Sequence, residues 1–282
     1  MFASKVRSGC WEVKRELLYL IMLQRIKSNN TTSTPFLNPV LEVLIKGLSV
    51  GRSVSRLAVT SDRRSPADTC VLILAGSGGQ TIARGDSLRV RWGYAGSDLT
   101  EIFRGFVREI GVAGQVVVRG IDYGAILNSR RVTVTFEDET ATGIVKALMA
   151  GTGLGLKLEG CDVVIERLPL FDRRIREGLE AVKDFLLRET GEEFGDYIRE
   201  GTFHWERKDQ QQTPIHEFQT GVDLISFEPT PDGLKLLETM VIPVRHSEVV
   251  TIEGDRFFVL KADYLWDSGG RTRLWCEPCS NR

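Results

Sequence analysis

Alternation of apolar and polar positions dominates this chain and gives way to helical spacing only in its middle. Successive side chains of a strand point to opposite faces, so a period of two marks a half-buried strand. The pattern begins near Leu41, where Leu41, Val43 and Ile45 alternate with Glu42 and Lys46, and "SRLAVTS" and "TCVLILAG" continue it. In "SLRVRWGY" the apolar face is Leu88, Val90, Trp92 and Tyr94, with Ser87, Arg89 and Arg91 opposite. "TEIFRGFVREI" breaks the alternation: Ile102, Phe103, Phe106 and Val107 put bulk on both faces around Gly105. A glycine so placed predicts a bulge or a close backbone approach. "QVVVRGIDY" and "RRVTVTF" complete at least six strands between residues 41 and 136. Their connections are too short for crossover helices, which predicts an antiparallel barrel or sandwich.

Between residues 138 and 208 the period changes. "ETATGIVKALMAGTGL" gathers Ile144, Val145, Leu148 and Met149 on one helical face, with Thr140 or Thr142 placed to cap its start and Gly151 to end it. "REGLEAVKDFLLRETGEEFG" predicts a second helix with a buried stripe of Leu179, Val182, Phe185 and Leu186, and "DYIREGTFHWERK" a hairpin turning at Glu200-Gly201. Asp209 to Thr220 reads as a loop. β-patterning then returns in "DLISFEP", Leu236 to Val244, "EVVTIEG", "DRFFVLKADYLW" and "RTRLWCEP". Asp267-Ser268-Gly269-Gly270 is a hairpin turn between the last two, and Phe258, Leu260, Ala262, Tyr264 and Trp266 are expected on one face. The predicted class is α+β, mainly β: residues 1–37 a short helix (11–27) and linker, 38–137 a first β domain, 138–208 an α+β insert, and 209–282 a second β domain.

Composition changes this picture little. The 282 residues exceed one ordinary domain, and 42% hydrophobic with 27% charged residues excludes wholesale disorder. A net charge of −1 gives no global reason to expect nucleic acid or an anionic membrane as partner. The apolar run Leu17 to Leu23 is too short to span a bilayer and lacks a small-residue cleavage site, so no stable membrane association is expected. Met22 is an alternative initiator.

Candidate chemistry is sparse. Cys10, Cys70, Cys161, Cys276 and Cys279 are odd in number and irregular in spacing, unlike a secreted disulfide framework. Cys276-Glu-Pro-Cys279 has the spacing of half a zinc site or a dithiol pair, yet no second pair follows, and no helix follows to lower a thiol pKa. Two structural strand-end cysteines is the expectation. His204, His216 and His246 lie in separate segments without metal-ligand spacing. Gly76 to Gly79 and Gly151 to Gly155 fit turns better than a phosphate cradle. The acid runs Glu137-Asp138-Glu139 and Glu192-Glu193 are explained by solubility and helix dipoles. Arg89, Arg91, Arg104, Arg108, Arg119, Arg130 and Arg131 could line an interface, meet phosphate, or form a solvated face. No catalytic, cofactor or metal residue is therefore expected, and the chain is not expected to be an enzyme.

The order of elements resembles the late control protein D family, the baseplate hub proteins of phage tails. Gly93, Tyr94, Phe103, Gly105, Phe106 and Val107 match the family's first element, and Thr142, Ile144, Leu148, Gly153 and Leu154 its second. The resemblance extends over about residues 38–278, through the helix and hairpin of "REGLEAVKDFLLRETGEEFGDYIREGTFHWERK" and the closing strands after His246. It implies two tail-tube-like β-barrel domains with an α+β domain between them, and a homotrimeric ring of six barrels joining a six-fold tube to a three-fold spike. It also implies tail tube, baseplate and tape measure proteins as neighbours, DNA only passing through the lumen, and a virion tail assembled in the host cytoplasm. Because the sequence stops at Arg282, a separate tail spike protein is expected. The alternatives are a tail-associated cell-wall hydrolase or peptidase and a monomeric β-rich binding module.

Overall fold

The computed structural model of the chain describes residues 38–65, 67–75, 82–112, 114–208, 213–267 and 269–279. The expected helix over 11–27, its linker and the Gly76 to Gly79 turn lie outside the described residues. Seven strands come first: β1 (Pro39–Ile45), β2 (Leu48–Ser49), β3 (Val54–Asp62), β4 (Thr69–Leu74), β5 (Ser87–Tyr94), β6 (Thr100–Val112) and β7 (Val116–Asp122). The insert holds α1 (Gly124–Ser129), β8 (Arg131–Thr140), α2 (Ala141–Met149), β9 (Gly155–Leu158), β10 (Val164–Arg174), α3 (Ile175–Thr190), β11 (Phe194–Arg199) and β12 (Thr202–Arg207). Six strands follow: β13 (His216–Phe218), β14 (Leu224–Pro229), β15 (Lys235–Thr239), β16 (Val249–Ile252), β17 (Asp255–Trp266) and β18 (Gly270–Pro278).

The first and last groups join in one sheet. Its strand order is β14-β15-β18-β17-β3-β4-β7-β6-β5-β1-β2, with β16 on β17 and β13 on β16. The seam between the groups is β17 against β3, paired from Lys261↔Asp62 to Trp266↔Leu57. The two β segments do not keep separate cores: Leu57, Leu88 and Trp92 share one buried cluster with Phe218, Leu237, Tyr264 and Leu274. Trp92 on β5 and Tyr264 on β17 meet edge to face at 5.1 Å although four strands separate them in the sheet order. The sheet therefore curls around this core, with the alternating apolar face of each strand turned inward.

Four expectations change. "RRVTVTF" does not complete the first β unit; as β8 it pairs with β10 in a separate two-stranded sheet, and Val132, Val134 and Phe136 pack on the core of the insert. The expected loop over Asp209 to Thr220 contains β13, which pairs in parallel with β16. The five apolar residues of "DRFFVLKADYLW" do not share a face, because a register shift between Val259 and Lys261 inverts the alternation. Phe258 and Leu260 then form a small cluster with Val249, while Ala262 and Tyr264 enter the main core. Residues 240–244, expected within a strand, follow the end of β15 at Thr239.

Other local readings hold. Thr140 Oγ1 accepts the Gly143 N–H at 3.0 Å and caps α2. Thr142 instead accepts the Cys161 N–H at 2.7 Å. α3 buries Leu179, Val182 and Leu186, and Gly191 ends it in the left-handed region at φ 71°. Glu200 and Gly201 turn the β11–β12 hairpin with positive φ. Around Gly105 both expected features occur: the β6–β7 register shifts between Val107 and Glu109, and β7 crosses very close.

Candidate functional site

Charged residues distant in sequence converge where the insert sits on the curled sheet. The end of β3 and the turn after it supply Asp62, Arg63 and Asp68, β6 supplies Glu101 and Arg104, and β7 ends in Asp122. The insert contributes Arg176 from α3, Asp196, Tyr197 and Arg199 from β11, and Glu200 from its turn. The segment after β15 adds Arg245, His246 and Glu248. Two narrow clefts run through this junction, and Asp68, Asp122, Ile198 and His246 line both.

Arginines pin the two layers together. Arg63 donates to Ser247 Oγ at 2.7 Å and lies over the Phe258 ring at 5.3 Å. Its guanidinium occupies the space that a side chain on residue 195 would need, since a Cβ at Gly195 would fall 1.7 Å from Nη2. Burial lowers the Arg63 pKa from its ordinary value, and Glu206 and Glu193 oppose that fall. Arg199 stands 3.2 Å from Glu248, while Arg245 donates to the Glu101 carbonyl and stands 3.3 Å from Glu200. Arg104 completes the link, 2.9 Å from Glu101 and donating to the Glu200 carbonyl at 3.4 Å. Within the insert, buried Asp196 receives both Arg176 and Lys183.

Two of the three histidines, separate in sequence, come together around one ring. His204 stacks on Tyr197 at 4.7 Å and His246 meets its edge at 5.4 Å. Burial, reinforced by Arg199, depresses their pKa values to about 4 and about 3, so both are neutral near pH 7. His216 is elsewhere, its Nε2 2.6 Å from Asp223 Oδ2.

Asp68 and Asp122 carry the opposite perturbation. Burial raises Asp68 to about 6, although Ser61 Oγ donates to it at 2.7 Å. Burial and then the neighbouring Asp68 charge raise Asp122 to about 8, against the Gly124 N–H that it accepts at 2.9 Å. Both acids bind protons more readily folded than unfolded, where the ordinary value is 3.8, so each removes stability as pH rises through the interval. The histidines act in the other sense, adding stability as pH rises from about 3 to their unfolded value of 6.5. The two pairs oppose one another at acidic pH, and with the histidines already neutral stability should decline as pH rises above neutrality and Asp122 ionises. Asp122→Asn keeps an acceptor for Gly124 and should abolish that decline, gaining on the order of 1–2 kcal/mol at pH 9. Urea melts of both proteins at pH 6 and 9 test this; parallel pH dependence would rule out Asp122 as the titrating group.

The junction is thus built as an electrostatic fastener: Glu101, Glu200 and Glu248 are answered by guanidinium groups, Asp68 and Asp122 by hydroxyl and backbone donors, and His204 and His246 are held neutral. The arginines on the strands are mostly occupied too: Arg89 and Arg104 pair with Glu101, Arg91 with Glu42 and Arg131 with Asp172. Cys276 shares the main core with Leu274, and burial raises its thiol pKa far above the ordinary value, which makes it unreactive. Among the described residues no three His, Cys, Asp or Glu side chains are grouped to hold a metal ion, and no helix is long and apolar enough to cross a membrane.

The chain matches no protein-family model and no curated protein. Its fold is similar to solved structures. A tail protein from Neisseria meningitidis MC58 superposes with a TM-score of 0.67 at 12% identity, over 85% of this chain and 96% of that one. The 43 kDa tail protein of prophage MuSo2 from Shewanella oneidensis gives 0.69 at 10% identity, over 85% and 98%. An E. coli component of the type VI secretion system, described as structurally similar to the bacteriophage T4 tail proteins gp27 and gp5, gives 0.60 at 12% identity, over 85% and 77%.

Proposed function

We propose that this chain is a structural component of a phage or phage-like tail, a baseplate hub of the late control protein D type. The observation that carries the reading is a fold shared over nearly the whole length of two tail proteins. In this reading each group of strands flanking the β17–β3 seam is one tail-tube-like unit, with the α+β insert held between them. Three copies form a ring of six such units, matching a six-fold tube on one face and a separate three-fold spike protein on the other. Ring closure is physically apt because an open sheet leaves unpaired strand edges that a closed assembly covers. The role is mechanical rather than catalytic, in the virion tail, with tube, baseplate and tape measure proteins as neighbours and DNA passing through the lumen. Assembly takes place in the host cytoplasm.

Light scattering on the purified chain should give a mass of three times 31.6 kDa, or that mass added to the spike's own where the ring closes only on spike protein. A strict monomer under both conditions contradicts the hub reading and favours a stand-alone binding module.

A further inference from the structure

Besides the short β13 edge of its branch, the main path of the curled sheet has two ends, and among the described residues both leave the core face unfinished. Among the described strands β14 pairs with β15 alone at one end, apart from a Thr220–Leu224 bridge, and β2 pairs with β1 alone at the other. Directly opposed residues of an antiparallel pair lie on the same face. Phe227 stands opposite Leu237, a fully buried core residue, and Leu48 stands opposite Ile45, another core residue. Both terminal side chains therefore face the core side, yet Phe227 is 36% and Leu48 56% exposed. Ile225 on β14, with Val222 in the segment leading to it, is at least half exposed as well. Among the described residues, four of the nine large exposed apolar residues thus lie at these two ends, Ile215 stands beside β16, and the remaining four are all on the insert. The charges differ between the ends. Exposed Glu228 and Asp232 flank the apolar rim at β14, where Lys235 lies over the Phe227 ring, while exposed Arg52 and Lys46, the latter 3.1 Å from Asp86, flank Leu48.

We infer that the β14 end of one copy docks on the β1–β2 end of a second copy, so that Phe227 and Leu48 of different copies complete one apolar face. The occupant is a second copy because each end supplies what the other lacks: a continuing apolar rim, an unpaired strand edge and the opposite charge. Two different surfaces meet, so the contact is head to tail and closes into a ring when the rotation permits. This assignment rests on the ring reading above for its stoichiometry and goes beyond it in naming the surfaces.

The test uses the full chain with Phe227→Asp, or Ile225→Asp as a second variant of the same end, and with Leu48→Asp. Circular dichroism confirms that each is folded. Each variant alone should lose the wild-type oligomer, its self-association weakened at least ~10-fold, because a charge would be buried at the contact centre. A mixture of Phe227→Asp with Leu48→Asp should form a one-to-one dimer and nothing larger, since one intact end remains on each chain and the two are complementary. Loss of assembly in the β14 variants but not in Leu48→Asp would instead indicate a symmetric contact between two β14 edges and overturn the inference. A wild-type-sized oligomer in every variant would overturn it while leaving the ring standing. A wild-type chain that stays monomeric, with or without spike protein, overturns both.

Discussion

Asp196→Ala should be among the most damaging single substitutions in the chain, lowering stability by ~3–5 kcal/mol, the usual cost of breaking a buried ion pair from one side. Its side chain is 1% exposed and lies between the Arg176 guanidinium and the Lys183 ammonium, the latter at 2.9 Å. Both cations are themselves less than one-fifth exposed, so water cannot replace the lost carboxylate cheaply. Lys183 keeps Glu180 at 2.7 Å, which limits the loss on its side, but Glu180 is half exposed and its pairing is correspondingly weak. Asp196→Asn retains the shape and one acceptor and should cost less than half as much. The position also ties α3, which carries both cations, to β11, which carries the acid. Amide exchange in α3 should therefore accelerate more than exchange in β6 or β7. Denaturant melts and hydrogen exchange check both parts, and a loss below ~0.5 kcal/mol for Asp196→Ala would show that the trio contributes nothing to stability.

Much of the architecture was legible because most strands carry a strict alternation and the two longer helices a clear apolar stripe. "SLRVRWGY" buries Leu88, Val90, Trp92 and Tyr94, the residues its pattern selects. Which sheet a strand joins was not legible. β8 alternates Val132, Val134 and Phe136 as cleanly as any strand of the main sheet, and nothing local distinguishes an insert core from a sheet core. The bulge in β17 was hidden for a related reason: its apolar run from Phe257 to Leu260 fits either face, and only pairing with β18 and β3 decides the register. The junction depends on contacts between segments far apart in the chain, so no spacing motif could reveal it. A faint signal existed in lone acids within apolar strand ends, Asp122 in "GIDYG" and Asp196 in "FGDYI", both of which are buried. Such an acid needs partners: Asp196 finds Arg176 and Lys183 on α3, and Asp122 the Gly124 N–H at the start of α1.

Gly105 makes the same point from the backbone, and Gly105→Ala is expected to cost about 3 kcal/mol despite adding a single methyl group. A Cβ there would lie 2.2 Å from the Ile121 carbonyl oxygen and 2.8 Å from Asp122 Cα. Both obstacles are main chain, so no rotamer change can relieve the overlap; β6 and β7 would have to separate where their ladder is already shifted by a bulge. The displaced residue would include Asp122, whose carboxyl caps the turn into α1 and lines both junction clefts. The damage should therefore reach the insert as well as the sheet. Gly111 on the same strand is the control, because a Cβ there meets only Val117 Cβ at 3.9 Å, an ordinary contact. Gly111→Ala should change stability by less than ~0.5 kcal/mol, whereas Gly105→Ala should lower the melting temperature by roughly 10 °C. Equal effects at the two positions would mean that lost glycine flexibility, not the approach of β7, governs this strand.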